Sequence, residues 1–159
     1  MTRLANKTAV ITGGSTGIGF ETAKQFIAQG ARVIITGQNE TRLNAAADAL
    51  GENAIPVKAD VRSRSVAFWP SLADLDHLAA QVEATFGKLD ILFANAGIGY
   101  FAPIEQVDEA FYDNQFDINV KGVFLTKKFG SVRVASALPK PRPSRTAFSD
   151  YLCTLLVPQ

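Results

Sequence analysis

The eight residues Thr12-Gly13-Gly14-Ser15-Thr16-Gly17-Ile18-Gly19 offer the first chemistry in this chain. Glycines set among small hydroxylated residues let the main chain approach a bulky anion such as a pyrophosphate. A helix opening at the end of the run would add unpaired N–H groups and the positive end of its dipole. Three further groups of small and polar residues follow: Asp60-Val61, Asn95-Ala96-Gly97 and Asn119-Val120-Lys121-Gly122. Taken singly, Asp60 is as well suited to capping a turn, Asn95-Ala96-Gly97 to ending a strand, and Asn119 to bonding within its own helix. The chain has one histidine, His77, and one cysteine, Cys153, which excludes a disulfide framework, a multi-cysteine zinc site and a histidine cluster. No metal site is expected.

The elements around these residues decide what they can do. Thr8 to Thr12 is a short β-branched and apolar run, which predicts a strand that breaks into the glycines. Ala23, Phe26 and Ile27 repeat at helical spacing, Gly30 stops that helix, and Val33 to Thr36 reads as a second strand. A helix over 40–50 closing at Gly51 and a third strand over 54–61 come next. Leu75, Leu78, Ala79, Val82 and Phe86 mark one face of a third helix, with Ser71 as N-cap, His77 on its polar face and Gly87 as its end. Leu89 to Ala94 predicts a fourth strand, and 107–128 predicts a long helix carrying Phe111, Ile118 and Phe124 toward the core. Apolar strands alternating with helices specify an α/β fold, a parallel sheet covered on both faces.

The order TGxxxGxG, Asp60-Val61, Asn95-Ala96-Gly97 and Asn119 resembles the short-chain dehydrogenase/reductase family over about residues 5–129. The resemblance implies a doubly wound, Rossmann-type parallel sheet in three α/β/α layers, and an oxidoreductase that moves a hydride between NAD(P) and an alcohol or carbonyl compound. Gly13, Ser15, Thr16, Gly17, Ile18 and Gly19 would then receive the phosphates, Asp60 and Val61 the adenine, and Asn95, Ala96 and Gly97 the adenosine ribose. Cofactor choice falls on the end of the second strand, where an acid would accept from the ribose 2′-OH of NAD. Gly37 and Gln38 stand there instead, so the expectation is NADP rather than NAD, with a 2′-phosphate permitted more than attracted.

For catalysis the resemblance implies Asn119, a serine, and a tyrosine followed four residues later by a lysine that lowers its pKa. Ser136 and Tyr151 either fill the serine and tyrosine positions or belong to an unrelated tail. The lysine position holds Leu155, so activity is expected to be impaired, and an inactive dinucleotide-binding fragment or pseudoenzyme pairing with full-length relatives is the other reading.

Charge divides the chain near residue 130. Residues 1–120 hold nine basic and fourteen acidic side chains, and residues 121–159 hold seven and one. The expected organisation is a dinucleotide-binding domain over 1–130, with an insertion at 62–70. A Pro- and Arg-rich segment over 131–159, opening with a fifth strand at Ser131 to Ser136, replaces the family's catalytic region and leaves the fold incomplete at that end. Lys121, Lys127 and Lys128 read as a solvated helix face, so no nucleic-acid partner is expected. No apolar run reaches the ~18 residues of a membrane span. A cytoplasmic protein, acting on a small molecule if active and self-associating through helix 107–128, is the resulting expectation.

Overall fold

The computed structural model describes residues 2–61 and 73–127. Four strands, β1 (Thr8–Ile11), β2 (Arg32–Gly37), β3 (Ala54–Lys58) and β4 (Ile91–Phe93), form one sheet in the order β3-β2-β1-β4, with every pairing parallel. Parallel neighbours need crossover connections. These are α1 (Gly17–Ala28), α2 (Glu40–Leu50) and α3 (Ala73–Phe86). Each helix is followed by a glycine of positive φ, Gly30, Gly51 or Gly87, at the stops the sequence predicts.

Strand residues alternate between two cores. Ala9, Ile11, Val33 and Ile35 pack with Ala23, Leu43, Ala46 and Ala47 of α1 and α2 on one face. Val10, Ile34 and Val57 pack with Leu75, Leu78 and Val82 of α3, and with Leu125, on the other. The doubly wound α/β architecture expected from the sequence is therefore present, because each strand has an apolar residue for both faces. Among the described residues β3 is paired with β2 alone; its exposed Pro56 lies opposite Ile35 of β2.

Opposite the glycine turn, a partly buried clamp ties β1 to the start of β4. The Thr8 N–H donates to Asp90 Oδ2 at 2.9 Å, and the Asp90 N–H donates to Thr8 Oγ1 at 3.2 Å. Lys88 and Lys7 approach the same carboxylate at 3.2 and 3.6 Å. Burial works to raise the Asp90 pKa. The Thr8 backbone bond, the Lys88 ammonium and the Thr8 hydroxyl outweigh it, holding the carboxyl below its ordinary value.

Three expectations need correction. The third strand ends at Lys58, leaving Ala59 to Val61 as extended chain, and the fourth spans Ile91–Phe93 alone. The helix expected over 107–128 starts later and is irregular. A 3₁₀ turn at Ile104–Gln106 precedes α4 (Glu109–Phe116), a π-helical turn occupies Asp117–Gly122, and regular helix resumes at 123–127. The wider turn advances the helix by one extra residue, so a 3.6-residue period fails across it. Ile118 is buried as expected and Phe111 half-buried. Phe124 is 68% exposed, and Leu125 and Thr126 take the inward positions. The insertion at 62–70, Ser71, the fifth strand and the segment 131–159 lie outside the described residues.

Candidate functional site

β1 and β4 are joined at their carboxyl ends by Thr12. Its side chain is 1% exposed, and its Oγ1 accepts the N–H groups of Asn95 and Ala96, each at 3.0 Å. Asn95 answers across the same gap, its Nδ2 donating to the carbonyls of Thr12 (3.1 Å) and Gly13 (3.4 Å). The glycine turn is thereby pulled against the end of β4. A Cβ on Gly13 would lie 2.9 Å from Ala96 Cα, and one on Gly19 would strike the Gly13 carbonyl oxygen. These two glycines serve close packing.

Gly17 serves a different purpose. It has φ +56°, and a Cβ built there meets no heavy atom within 4 Å, so the space before α1 is open. The Thr16 side chain makes no cap bond to α1, and the first turn of α1 contains no acidic residue. Uncapped N–H groups and an uncompensated dipole therefore meet at this opening, the arrangement that receives phosphate.

A cleft of about 370 Å³ crosses the ends of all four strands. Ala59 and Val61 bound it beyond β3, and Thr36, Gly37 and Gln38 beyond β2. Gly13, Ser15, Thr16 and Ile18 bound it after β1, and Asn95, Ala96, Gly97 and Ile98 after β4. Asn39 and Arg42, from the start of α2, and Ile118 complete its described lining. Open α/β sheets bind ligands at the carboxyl ends of their strands, where the strand order reverses. This sheet reverses between β1 and β4.

Of the residues named from sequence, Gln38, Val61 and most of the glycine turn line the cleft together with Asn95 to Gly97. Asp60 stands beside it: its Oδ1 accepts from Gln38 Nε2 at 3.1 Å, and its N–H donates to Asp74 Oδ2 at 2.8 Å. Asn119 reaches the cleft through Ile98, accepting the Ile98 N–H at 2.9 Å and donating to its carbonyl at 2.8 Å. Ser136, Tyr151 and Leu155 lie outside the described residues. Sequence reasoning missed Asn39, Arg42 and Ile98, placed Thr12 in the glycine turn without its bonding role, and gave Ile118 to the core alone. Asn39 carried a signal, an Asn directly before a helix, and its Oδ1 indeed accepts the Arg42 N–H at 2.9 Å.

The family model for short chain dehydrogenase matches residues 7–132. The chain belongs to the short chain dehydrogenase family. Among similar curated proteins are oxidoreductase asL5 of Sarocladium schorii, 46% identical over 78% of this chain and 47% of that protein, and galactitol 2-dehydrogenase of Agrobacterium fabrum, 41% identical over 85% and 50%. A cis-2,3-dihydrobiphenyl-2,3-diol dehydrogenase of Pseudomonas sp. is 36% identical over 79% of this chain and 45% of that protein. This short chain dehydrogenase chain thus spans about half the length of the curated relatives it matches. Among the described residues no helix is long and apolar enough to cross a membrane, and no group of three or more His, Cys, Asp or Glu could hold a metal ion.

Proposed function

We propose that this chain carries the dinucleotide-binding half of an oxidoreductase acting between NADP, or NAD, and an alcohol or carbonyl compound. The observation that supports it best is the cleft that begins at Ala59 and Val61, passes Ser15, Thr16 and Ile18 beside the start of α1 and ends at Asn95 to Ile98. Its course across the strand ends suits an extended ligand with its pyrophosphate at α1 and its adenosine over β2 and β3. The two dehydrogenase-named relatives lend the activity class.

The bound dinucleotide would supply or accept the hydride. In this reading Ser136 orients the carbonyl and Tyr151 gives or takes the proton at its hydroxyl. Asn119 holds the Asn95 to Ile98 wall and a proton-relay water. Because Ile98 engages both ends of the Asn119 amide, such a water would use the remaining Oδ1 lone pair or Nδ2 hydrogen. Leu155 supplies no ammonium to lower the Tyr151 pKa, so turnover should be weak.

Leu155 also favours a second reading, a chain that binds dinucleotide without turning it over and pairs with longer relatives. Tyr112 and Phe116, stacked at 4.0 Å on α4 and both exposed, together with Phe124, give such pairing an apolar surface. The deciding experiment measures thermal stabilisation by NADP⁺ and NAD⁺ alongside NADPH consumption with small ketones and aldehydes. Stabilisation with slow turnover supports the oxidoreductase, and stabilisation without turnover supports the binding module. A folded protein that responds to neither nucleotide refutes both.

A further inference from the structure

The cleft wall beyond β3 stands where the sheet has ended. The β2–β3 ladder closes at the pair Gly37 and Lys58, and one further bond runs from the Ala59 N–H to the Gly37 carbonyl at 3.3 Å. β2 then turns away into α2 at Asn39, whose side chain caps that helix. Ala59 and Val61 are nevertheless buried and line the cleft, while the Asp60 carboxylate between them accepts from Gln38 Nε2 at 3.1 Å. A segment of this kind keeps its place only if its main-chain groups find partners outside the sheet.

One such partner comes from α3. Asp74 Oδ2 accepts the Asp60 N–H at 2.8 Å, a charge-assisted bond to the main chain that carries the Asp60 carboxylate. The next residue, Val61, is packed against Gly122, where an added Cβ would lie 2.9 Å from Val61 Cγ2. The first turn of α3 holds two acids, Asp74 and Asp76, and either suits the positive end of the helix dipole. Both are exposed, but among the described residues Asp76 makes no hydrogen bond or ion pair. Asp74 is the one joined to the cleft wall.

We infer that Asp74 is a positioning residue for the base-reading end of the site. By holding the Asp60 N–H it fixes the Asp60 carboxylate, an acceptor-only group, so that a purine bearing an amino donor there is favoured over one bearing a carbonyl. The inference rests on the dinucleotide reading above, and its test separates the two. The full chain is titrated with 5′-AMP and with 5′-IMP, which exchange an amino group for a carbonyl at position 6 of the base. The titration is repeated for Asp74→Ala, Asp74→Asn and Asp76→Ala, with folding followed by circular dichroism.

The unmodified chain should prefer 5′-AMP by roughly tenfold, as one hydrogen bond to a charged group allows. Asp74→Ala should remove most of that preference by weakening 5′-AMP alone. Asp74→Asn keeps an oxygen acceptor and should retain part of it, and Asp76→Ala should leave it intact. A role confined to α3 would instead lower the stability of both alanine variants and leave the preference unchanged. If Asp74→Ala keeps the preference, weakens both nucleotides equally, or is matched by Asp76→Ala, the inference is overturned and the dinucleotide reading survives. Equal affinity for the two nucleotides in the unmodified chain overturns it in the same way. Binding of neither overturns the dinucleotide reading and the inference together. Should Asp74→Ala fail to fold, Asp74→Ser decides: serine suits a helix start but is one atom too short for the bond, and an unchanged preference there overturns the inference.

Discussion

Asn119 grips Ile98 from both sides, Oδ1 on its N–H at 2.9 Å and Nδ2 on its carbonyl at 2.8 Å. A side-chain amide that copies the pattern of a neighbouring strand extends the order of β4 past its last ladder bond. It also fixes the wall that closes one end of the cleft. A Cβ on Gly97 would come within 3.1 Å of Asn119 Oδ1, so the approach depends on glycine there.

Replacing Asn119 by Leu removes both bonds and leaves the Ile98 peptide groups to solvent. The expected cost is about 1–2 kcal/mol in urea unfolding, together with weaker dinucleotide binding. Asn119→Asp keeps the acceptor and should lose roughly half as much.

Thr12 holds two main-chain N–H groups with one buried oxygen. Thr12→Val keeps the shape and orphans both donors, so it should destabilise by roughly 2–3 kcal/mol, while Thr12→Ser should stay near the starting value. Equal unfolding midpoints for the Val and Ser variants would show that the hydroxyl contributes nothing.

The two glycines of the turn should answer differently to alanine. Gly17→Ala has room but must hold φ +56°, costing about 1–2 kcal/mol. Gly19→Ala has a favourable helical position but no room, because its methyl group meets the Gly13 carbonyl oxygen. It should displace the turn and abolish nucleotide-induced stabilisation, which calorimetry with and without NADP⁺ measures. A nucleotide response as large in Gly19→Ala as in the unmodified chain would refute the close-packing role.

Asp90 makes stability depend on pH in a definite direction. Its folded pKa lies below the ordinary 3.8, so the folded state favours the carboxylate. The contribution is complete above the unfolded value and is lost as pH falls through 3.8 toward the lower folded pKa. Asp90→Asn should therefore be less stable at neutral pH and show a shallower loss across that acid window. Identical acid slopes in urea titrations of the two proteins would exclude the clamp as the source.

The strands and the first three helices were legible because each is specified locally, by β-branched runs, helical spacing and terminal glycines. The glycine turn and Asn95 to Gly97 were legible for the same reason. The π-helical turn was not, since nothing local in Asp117 to Gly122 departs from an ordinary helix. It fits its surroundings through a distant contact, since a Cβ on Gly122 would lie 2.9 Å from Val61 Cγ2. Phe124 was misplaced as a consequence. The bonding role of Thr12 and the place of Arg42 were not legible, because a threonine ending a strand and an arginine on a polar helix face look unremarkable until the sheet order brings them to one opening.

Pro56 bears on how copies of this protein behave when crowded together. A strand paired on one side only is a template on which a foreign strand could grow a continuous ribbon. Proline brings no N–H to such a ladder, and a newcomer laid along β3 would meet a missing rung in its middle, next to the charged ends of Lys58 and Glu40. Pro56→Val would repair that rung without burdening the native sheet, and would make the protein more prone to fibrous aggregation at high concentration.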